Sequence, residues 1–346
     1  MLLSEGGVLP RALITGITGQ DGLYLAEFLL EKGYEVYGMV RGQANPKVAL
    51  VEQTVPDVRI VYGDLSDFSS LLRVLEATLP DEIYNLGAIS SVPLSFQQPE
   101  LTYEITGLGV HRMLEAARRL MAAGKEVKFY QASSSEMFGK ARESPQNELT
   151  PFHPRSPYAI AKAMGHYATV HYREAYGLFA CSGILFNHES PRRGAEFVTR
   201  KISLGVAAIV TGKADKIALG NLQARRDWGF AGDYVKAMWA MLQQDEPGDY
   251  VVGMGESHSV LDFARLAFER VGIDDFEKYL VVDERFKRPA DVEDLRADAT
   301  KARRVLGWEP TVGFEELVAM MVDADLEAAL KDSAENSQAR VPTAQG

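Results

Sequence analysis

The first forty residues limit the fold more than any other part of the chain. Arg11 to Thr15 (RALIT) is a short apolar run with strand character, and GITGQDG follows at once. Gly16, Gly19 and Gly22 recur every third residue; LYLAEFLLEKG then sets apolar side chains at helical spacing and closes on Gly33. YEVYGMV reads as a second strand. Strand, glycine turn, helix and strand in that order form the first βαβ unit of a dinucleotide-binding fold. The glycines let the backbone approach a pyrophosphate. The helix N-terminus turns unpaired N–H groups and the positive end of its dipole towards it. A purely structural turn is the competing reading, and the position between this strand and this helix argues against it.

The second strand ends at Val40-Arg41. An acid here usually holds the adenosine ribose of NAD; Arg41 favours the 2′-phosphate of NADP, the alternative being a solvated surface arginine. Residues 42–57 hold two prolines and read as a loop with room for a short helix. A third strand, 58–62, ends in Gly63-Asp64-Leu65. Asp64 can accept a hydrogen bond from an adenine amino group or cap the amphipathic helix that follows over 68–79. A fourth strand, 82–86, runs into Gly87-Ala88-Ile89-Ser90, small residues of the kind found where a cofactor lies close. A long helix within 99–123, a fifth strand at 127–132, a helix at 158–176 and a sixth strand at 179–185 continue the alternation. The expectation is an α/β fold of the Rossmann type, a doubly wound parallel sheet with helices on both faces.

The stretch YQASSSEMFG, just past the fifth strand, and RSPYAIAKAMGHY, which opens the next helix, carry candidate chemistry. Tyr158 and Lys162 are four residues apart, which sets phenol and ammonium on one helix face. An ammonium there favours the phenolate and lowers the tyrosine pKa, so that Tyr158 can act as a base. Tyr-x-x-x-Lys also occurs on ordinary surface helices; its placement after the fifth strand, with Ser134 and Glu136 at that strand's end, is what raises it.

Beyond the sixth strand the alternation weakens. NHESPRRGAEFVTRKI, LGNLQARRDWG and FKRP bring Arg192, Arg193, Arg200, Lys201, Arg225, Arg226 and Arg288 into a chain whose net charge is −11. One such run is usually a solvated face; three in the irregular half suggest an anion-binding lobe for a substrate diphosphate. Helices are expected over 235–243, 259–271, 301–306 and 314–331, and the last residues, DSAENSQARVPTAQG, read as a disordered tail. Residues 1–186 thus form mainly the cofactor domain. Residues 187–330 form mainly a smaller substrate lobe, with some segments returning to the core, and 331–346 a tail. The acidic balance disfavours nucleic acid or an acidic membrane as a partner. Nothing approaches the roughly 20 apolar residues of a bilayer span, and MLLSEGGVLP lacks the pattern of a secretory signal. The expectation is a soluble cytoplasmic protein. The single cysteine, Cys181, excludes an intrachain disulfide and reads as a small core residue. His166 and His171 are poorly spaced for a shared metal, and no metal site is expected; His188, beside Asn187, is the histidine expected near a ligand.

These residues resemble the extended short-chain dehydrogenase/reductase family. TGITGQDG, YGDLSD, PDEIYNLGAIS, FYQASSSEMFGK, PFHPRSPYAIAK, GILFNHESPRRG and FVTRKI are similar to its GDP-mannose 4,6-dehydratase branch, over about residues 11 to 330. The resemblance implies a redox-neutral elimination of water from GDP-mannose with tightly bound NADP. Tyr158 would take the C4 hydroxyl proton, with Lys162 tuning it and binding the nicotinamide ribose. Ser134, where the family often has Thr, would hold the C4 oxygen. Glu136 would take the C5 proton and help the C6 hydroxyl leave. Cofactor contacts are implied for Gly16, Ile17, Thr18, Gly19, Gln20, Asp21, Gly22, Arg41, Asp64, Leu65, Leu86, Gly87, Ala88, Ile89, Ser90, Leu101, Lys162, His188 and Arg193. Substrate contacts are implied for Ser90, Ser134, Glu136, Tyr158, Asn187, Val198, Lys201, Gly220, Arg226, Arg288 and Asp291. Three positions depart from the pattern. The loop after Arg41 is shorter and lacks a second arginine, Leu101 replaces an aromatic residue, and Asp291 replaces a Glu. The first leaves a homodimer and a homotetramer both open. The competing functions are a GDP-sugar 4-reductase or nucleotide-sugar epimerase, neither of which needs a base at Glu136, and a non-catalytic NADP-binding regulator, which would not need Ser134, Tyr158 and Lys162 together.

Overall fold

The computed structural model describes residues 9–42, 45–286 and 294–338. Its first half follows the alternation in order: β1 (Arg11–Thr15), α1 (Gln20–Glu31), β2 (Glu35–Val40), α2 (Val48–Thr54), β3 (Arg59–Tyr62), α3 (Phe68–Thr78) and β4 (Glu82–Asn85). Then come α4 (Val92–Gln97), α5 (Pro99–Thr102), a π-helical stretch Tyr103–Leu108, α6 (Gly109–Ala122), β5 (Lys128–Ser134), α7 (Pro157–Tyr176) and β6 (Phe179–Leu185). The second half adds β7 (Asn187–Glu189), α8 (Val198–Val210), β8 (Ile217–Leu219), β9 (Arg225–Arg226), β10 (Trp228–Phe230), α9 (Ala231–Leu242), β11 (Asp249–Val252), β12 (His258–Ser259), α10 (Val260–Glu269), β13 (Leu280–Val282), β14 (Asp294–Leu295) and α11 (Phe314–Gln338).

Seven strands form the central sheet in the order β11-β6-β5-β4-β1-β2-β3, all parallel. The period of two along each strand sorts its side chains between two cores. Ala12 and Ile14 join the helices α1 and α9 on one face, while Leu13 joins α3 and α6 on the other. Tyr84 and Tyr130 likewise face the first core, Ile83 and Phe129 the second. A third core, around Ile202, Val206, Phe263, Phe268, Leu317 and Met321, holds the second lobe together.

α4, the π-helical stretch and the short strands of the second half go beyond the expected elements, and three further features bear on the expectation. A seventh strand, β11, not among the expected strands, comes from the second half and pairs with β6; it is a segment that returns to the core, as the division of the chain allowed. The helix α8 starts inside the basic segment. The last helix reaches Gln338, inside the stretch expected to be a tail. Ala, Glu and Lys are strong helix formers, and a helix already nucleated upstream propagates through them without needing an apolar face. Among the described residues, no helix is long and apolar enough to cross a membrane.

Candidate active site

A cleft of about 570 Å³ lies where the carboxyl ends of the central strands meet the second lobe. The sheet side contributes Asp21, Leu86, Ala88, Ser90, Ser134, Glu136, Tyr158 and Lys162; the lobe side contributes Asn187, His188, Arg193, Val198, Lys201, Gly220 and Arg226. Residues from both halves of the chain are thereby brought together.

Of the glycine turn and the start of α1, Asp21 lines the cleft, and Gly16, Ile17, Thr18, Gly19, Gln20 and Gly22 lie behind it. Gly16 has φ +73°, and a Cβ on Gly22 would stand 2.5 Å from the Gly16 carbonyl oxygen. Only glycine allows the turn to close this tightly. Gly19 caps α1 without a side-chain hydrogen bond, following Ile17 and Thr18. The Gly87 N–H donates to Thr15 Oγ1 (2.9 Å), and the Thr15 hydroxyl donates to Asn85 Oδ1 (2.8 Å). These bonds draw the loop after β4 against the turn, and Thr106 Oγ1 anchors its far end by accepting the Ile89 N–H (3.0 Å).

An ion pair joins the turn to the lobe. His188 donates Nε2–H to Asp21 Oδ2 (2.7 Å) and Nδ1–H to the Phe186 carbonyl (2.7 Å). With an oxygen acceptor at each ring nitrogen, the imidazolium is the form that satisfies the site. Burial alone would raise the Asp21 pKa, but the charge and hydrogen bond of His188 hold it down to about 2. Burial opposes charge on His188 as well, and Asp21 overcomes it, carrying the imidazole above its ordinary range. The imidazole ring also stacks on Tyr234, centroids 4.7 Å apart. Gln20 completes the seam. It donates to the His188 carbonyl (3.0 Å) and accepts from the Ser190 hydroxyl (2.7 Å).

The acid–base groups sit on β5 and α7. β5 runs two residues further than expected, making Ser134 its last residue, paired with Leu185. Ser134 Oγ accepts the Glu136 N–H (3.2 Å) and so caps the short 3₁₀ turn Ser135–Met137 that carries the carboxylate into the cleft. Ser156 caps α7 by accepting the Ala159 N–H (3.1 Å), with Pro157 as the first helical residue. That cap brings Tyr158 to the cleft that Ser134 also lines.

The expected depression of the tyrosine pKa by Lys162 is corrected here. Burial pushes Tyr158 up to about 12, and the influences that lower it are Ser134 and, more weakly, the charge of Arg193. Lys162 Nζ donates to the Ala132 carbonyl (2.6 Å) and lies 5.7 Å from the centre of the phenol ring. Burial brings that ammonium down to about 8, with Asp21 opposing the fall. In the protein alone, desolvation outweighs the attraction between phenolate and ammonium.

The basic runs divide. Arg193, Lys201 and Arg226 reach the cleft. Arg192 turns away to a bidentate pair with Glu27 (2.8 and 2.7 Å), Arg200 pairs with buried Asp325 (2.6 Å), and Arg225 donates to the Ser257 carbonyl. Of the remaining expected contacts, Arg41 is exposed at the end of β2, and Asp64 and Leu65 follow β3. Asp64 Oδ1 accepts the Ser66 N–H (2.8 Å), while the α3 cap is Asp67, so the capping alternative for Asp64 falls. Leu101 is exposed on α5 and does not line the cleft. Arg288 and Asp291 lie outside the described residues.

Phe186, Phe197, Trp228 and Phe286 in the cleft wall go beyond the expected set, and two of them sit against its cations. The Arg193 guanidinium lies 3.6 Å from the Phe197 ring centre, and Lys201 Nζ 3.2 Å from that of Phe286. Both rings sit within the basic runs, so an aromatic residue beside a cation is the available signal.

A family model described as GDP-mannose 4,6 dehydratase matches residues 13–321. The chain belongs to the GDP-mannose 4,6-dehydratase family. The Arabidopsis thaliana "GDP-mannose 4,6 dehydratase 1" is 54% identical over 336 residues, covering 94% of this chain and 92% of that protein. The Homo sapiens "GDP-mannose 4,6 dehydratase" is 48% identical, covering 92% of each. Among solved structures, a UDP-glucose 4-epimerase of Thermus thermophilus in complex with NAD superposes with TM-score 0.78 at 28% identity, covering 91% of this chain and 98% of that one. RMD from Pseudomonas aeruginosa, complexed with NADPH, shares the fold at 22% identity, with TM-score 0.77 and coverage of 94% and 100%. The protein is a lyase of the dehydratase class with the extended short-chain dehydrogenase/reductase fold.

Proposed function

We propose that the protein converts GDP-α-D-mannose to GDP-4-dehydro-6-deoxy-α-D-mannose and water, with tightly bound NADP. The observation that carries this reading is the position of Glu136. It shares one cleft with Ser134, Tyr158 and Lys162, on a turn that Ser134 itself caps. A 4-reductase or epimerase needs the last three; only an elimination also needs a carboxylate beside them.

The glycine cradle, the uncapped α1 N-terminus and the small residues from Gly87 to Ser90 fit a dinucleotide. Arg41 at the end of β2, with no acid there, supports NADP. The Thermus epimerase structure, named as a complex with NAD, supports a nicotinamide. When bound, it supplies the hydride acceptor at C4 and returns the same hydride to C6. Tyr158 takes the proton of the C4 hydroxyl, and Ser134 donates a hydrogen bond to that oxygen. The resulting ketone acidifies C5–H, and Glu136 removes this proton and passes it to the departing C6 oxygen. Protonation of C5 after the C6 reduction uses the proton left on Tyr158, so no outside proton or reductant is consumed. Arg193 and His188 serve the cofactor. Asn187, Lys201 and Arg226, with Val198 and Gly220, hold the GDP part.

A homo-oligomer is part of the same reading. Leu101, Leu108, Ile160, Met164 and Tyr167 are large, exposed and apolar on packed neighbouring helices. Size-exclusion chromatography distinguishes dimer from tetramer.

The test is mass-spectrometric analysis of the product from GDP-mannose, GDP-glucose and dTDP-glucose. Loss of one water from GDP-mannose with no net NADPH consumed is expected. Stoichiometric NADPH consumption would replace the reading with a reductase.

A further inference from the structure

The helix α7 carries a third polar residue on the face that holds Tyr158 and Lys162. His166 follows Lys162 by four residues, as Lys162 follows Tyr158, so the three stack along one side of the helix. Each goes with a different residue at the end of β5. Tyr158 lines the cleft with Ser134, Lys162 donates to the Ala132 carbonyl, and His166 Nδ1 lies 3.2 Å from Ser133 Oγ. β5 continues from Ser134 into the capped turn that bears Glu136, so the place of Ser133 fixes the start of that turn.

His166 is itself locked. It is buried, and the edge of its ring meets the Phe152 ring at 5.1 Å and 86°. Phe152 packs in turn on Phe138, the residue that ends the Glu136 turn. The turn is therefore gripped at both ends by one imidazole, through Ser133 before it and through Phe152 after it. Ser133 lines the cleft while His166 stands behind it.

We infer that His166 is a positioning residue for the elimination step, holding Ser133 and thereby setting Ser134 and Glu136 against the substrate. This rests on the dehydratase reading. No proton need pass through the imidazole, because Tyr158 and Glu136 between them already account for every proton in the reaction. The role is placement, and misplacing a reacting group by about 1 Å is enough to slow a reaction by about a hundredfold.

Three variants test this. His166→Phe keeps the ring against Phe152 and removes the nitrogen. Ser133→Ala removes the same contact from the other side. His166→Asn restores a polar atom near the place of Nδ1. Turnover of His166→Phe is expected to fall about ten- to a hundredfold, with the KM for GDP-mannose within about twofold, since the cations of the lobe are untouched. Ser133→Ala should fall similarly, the double variant no further than either single one, and His166→Asn should recover most of the loss. Full turnover in His166→Phe overturns the inference. So do single effects that multiply, or a loss accounted for by the unfolded fraction in a thermal melt. Should His166→Phe not fold, Ser133→Ala and His166→Asn decide by the same readouts. A wild-type protein that leaves GDP-mannose unchanged overturns the dehydratase reading along with this inference; an active wild type with indifferent variants overturns this inference alone.

Discussion

Two neighbouring regions, the glycine turn beside Asp21 and the cleft wall of the second lobe, suit anionic groups by opposite means. At the glycine turn the groups on offer are backbone N–H donors, brought close because Gly16 and Gly22 carry no Cβ. In the lobe they are side-chain cations, Arg193, Lys201 and Arg226, brought in by separate elements. The first site is written in seven consecutive residues and needs only one strand and one helix to exist. The second needs β7, α8 and β9 to pack, and burial then works against its charges, as the lowered pKa of Lys201 records. A site made of backbone is broken by adding atoms, whereas one made of side chains is broken by removing them.

The largest effect belongs between the two regions. Glu136→Gln should lower turnover by about 10²- to 10⁴-fold, the usual contribution of a positioned base, with GDP binding by calorimetry unchanged. Full dehydration by this variant would remove the residue that separates an elimination from its rivals. Next comes the direct contrast. Gly22→Ala places a Cβ 2.5 Å from a carbonyl oxygen. Strain of about 1–3 kcal/mol at such a position corresponds to about ten- to a hundredfold weaker NADP binding, with GDP affinity little altered. Arg226→Ala should do the reverse, raising the KM for GDP-mannose by about ten- to a hundredfold, the worth of one charge-assisted hydrogen bond, while NADP titrates as in the wild type. A variant that weakened both ligands equally would show the two regions to be one cooperative site.

A third effect is in stability. The folded pKa of Lys162, about 8, lies below its ordinary 10.5. Below about pH 8 both folded and unfolded states hold the proton, and the fold bears the full cost of the buried charge. Between the two values the folded state releases its proton first, and stability recovers as pH rises. Lys162→Met should therefore abolish turnover and yet raise the melting temperature of the cofactor-free protein at about pH 7, with a smaller gain near pH 10. A melting temperature that fell at neutral pH would mean that the hydrogen bond to Ala132 outweighs the desolvation of the ammonium.

What can be read from the chain follows the same division. β1 to β6 and the longer helices α1, α3, α6 and α7 are legible, because strands and helices alternate there in a regular order, while α4 is not. Nor is β11: its partner β6 lies far back in the chain, and DYVV falls outside the regular strand–helix alternation that marks the equally short β3 and β4. α8 is hidden by its charges, since Arg200 and Lys201 lie in its first turns and read as a basic run rather than as parts of a helix. β5 reads two residues short because Ser133 and Ser134 have low strand propensity, and pairing with Ile184 and Leu185 overrides it. The identities of Ser134, Glu136, Tyr158 and Lys162 are visible in the chain. Their electrostatics are not, because burial depends on everything around them.

The smallest effect is the sharpest check on the lobe. Arg192 and Arg193 are neighbours in sequence, and nothing in their spacing says which one faces the cleft. Arg192 forks onto Glu27 of α1, at roughly a third exposure on each side, and its guanidinium lies 4.2 Å from the Tyr24 ring centre. Arg193 lines the cleft, paired with Glu189 at 3.0 Å. A half-exposed pair of the Arg192 kind is worth at most about 1 kcal/mol. Arg192→Ala should thus cost a little stability and leave NADP affinity and the KM for GDP-mannose within about twofold, well under the ~1.4 kcal/mol that marks a tenfold change. Arg193→Ala should weaken NADP binding clearly in the same titration. Equal losses from the two would mean that the basic run acts through its overall field, and that the division of cations between cleft and scaffold does not govern binding.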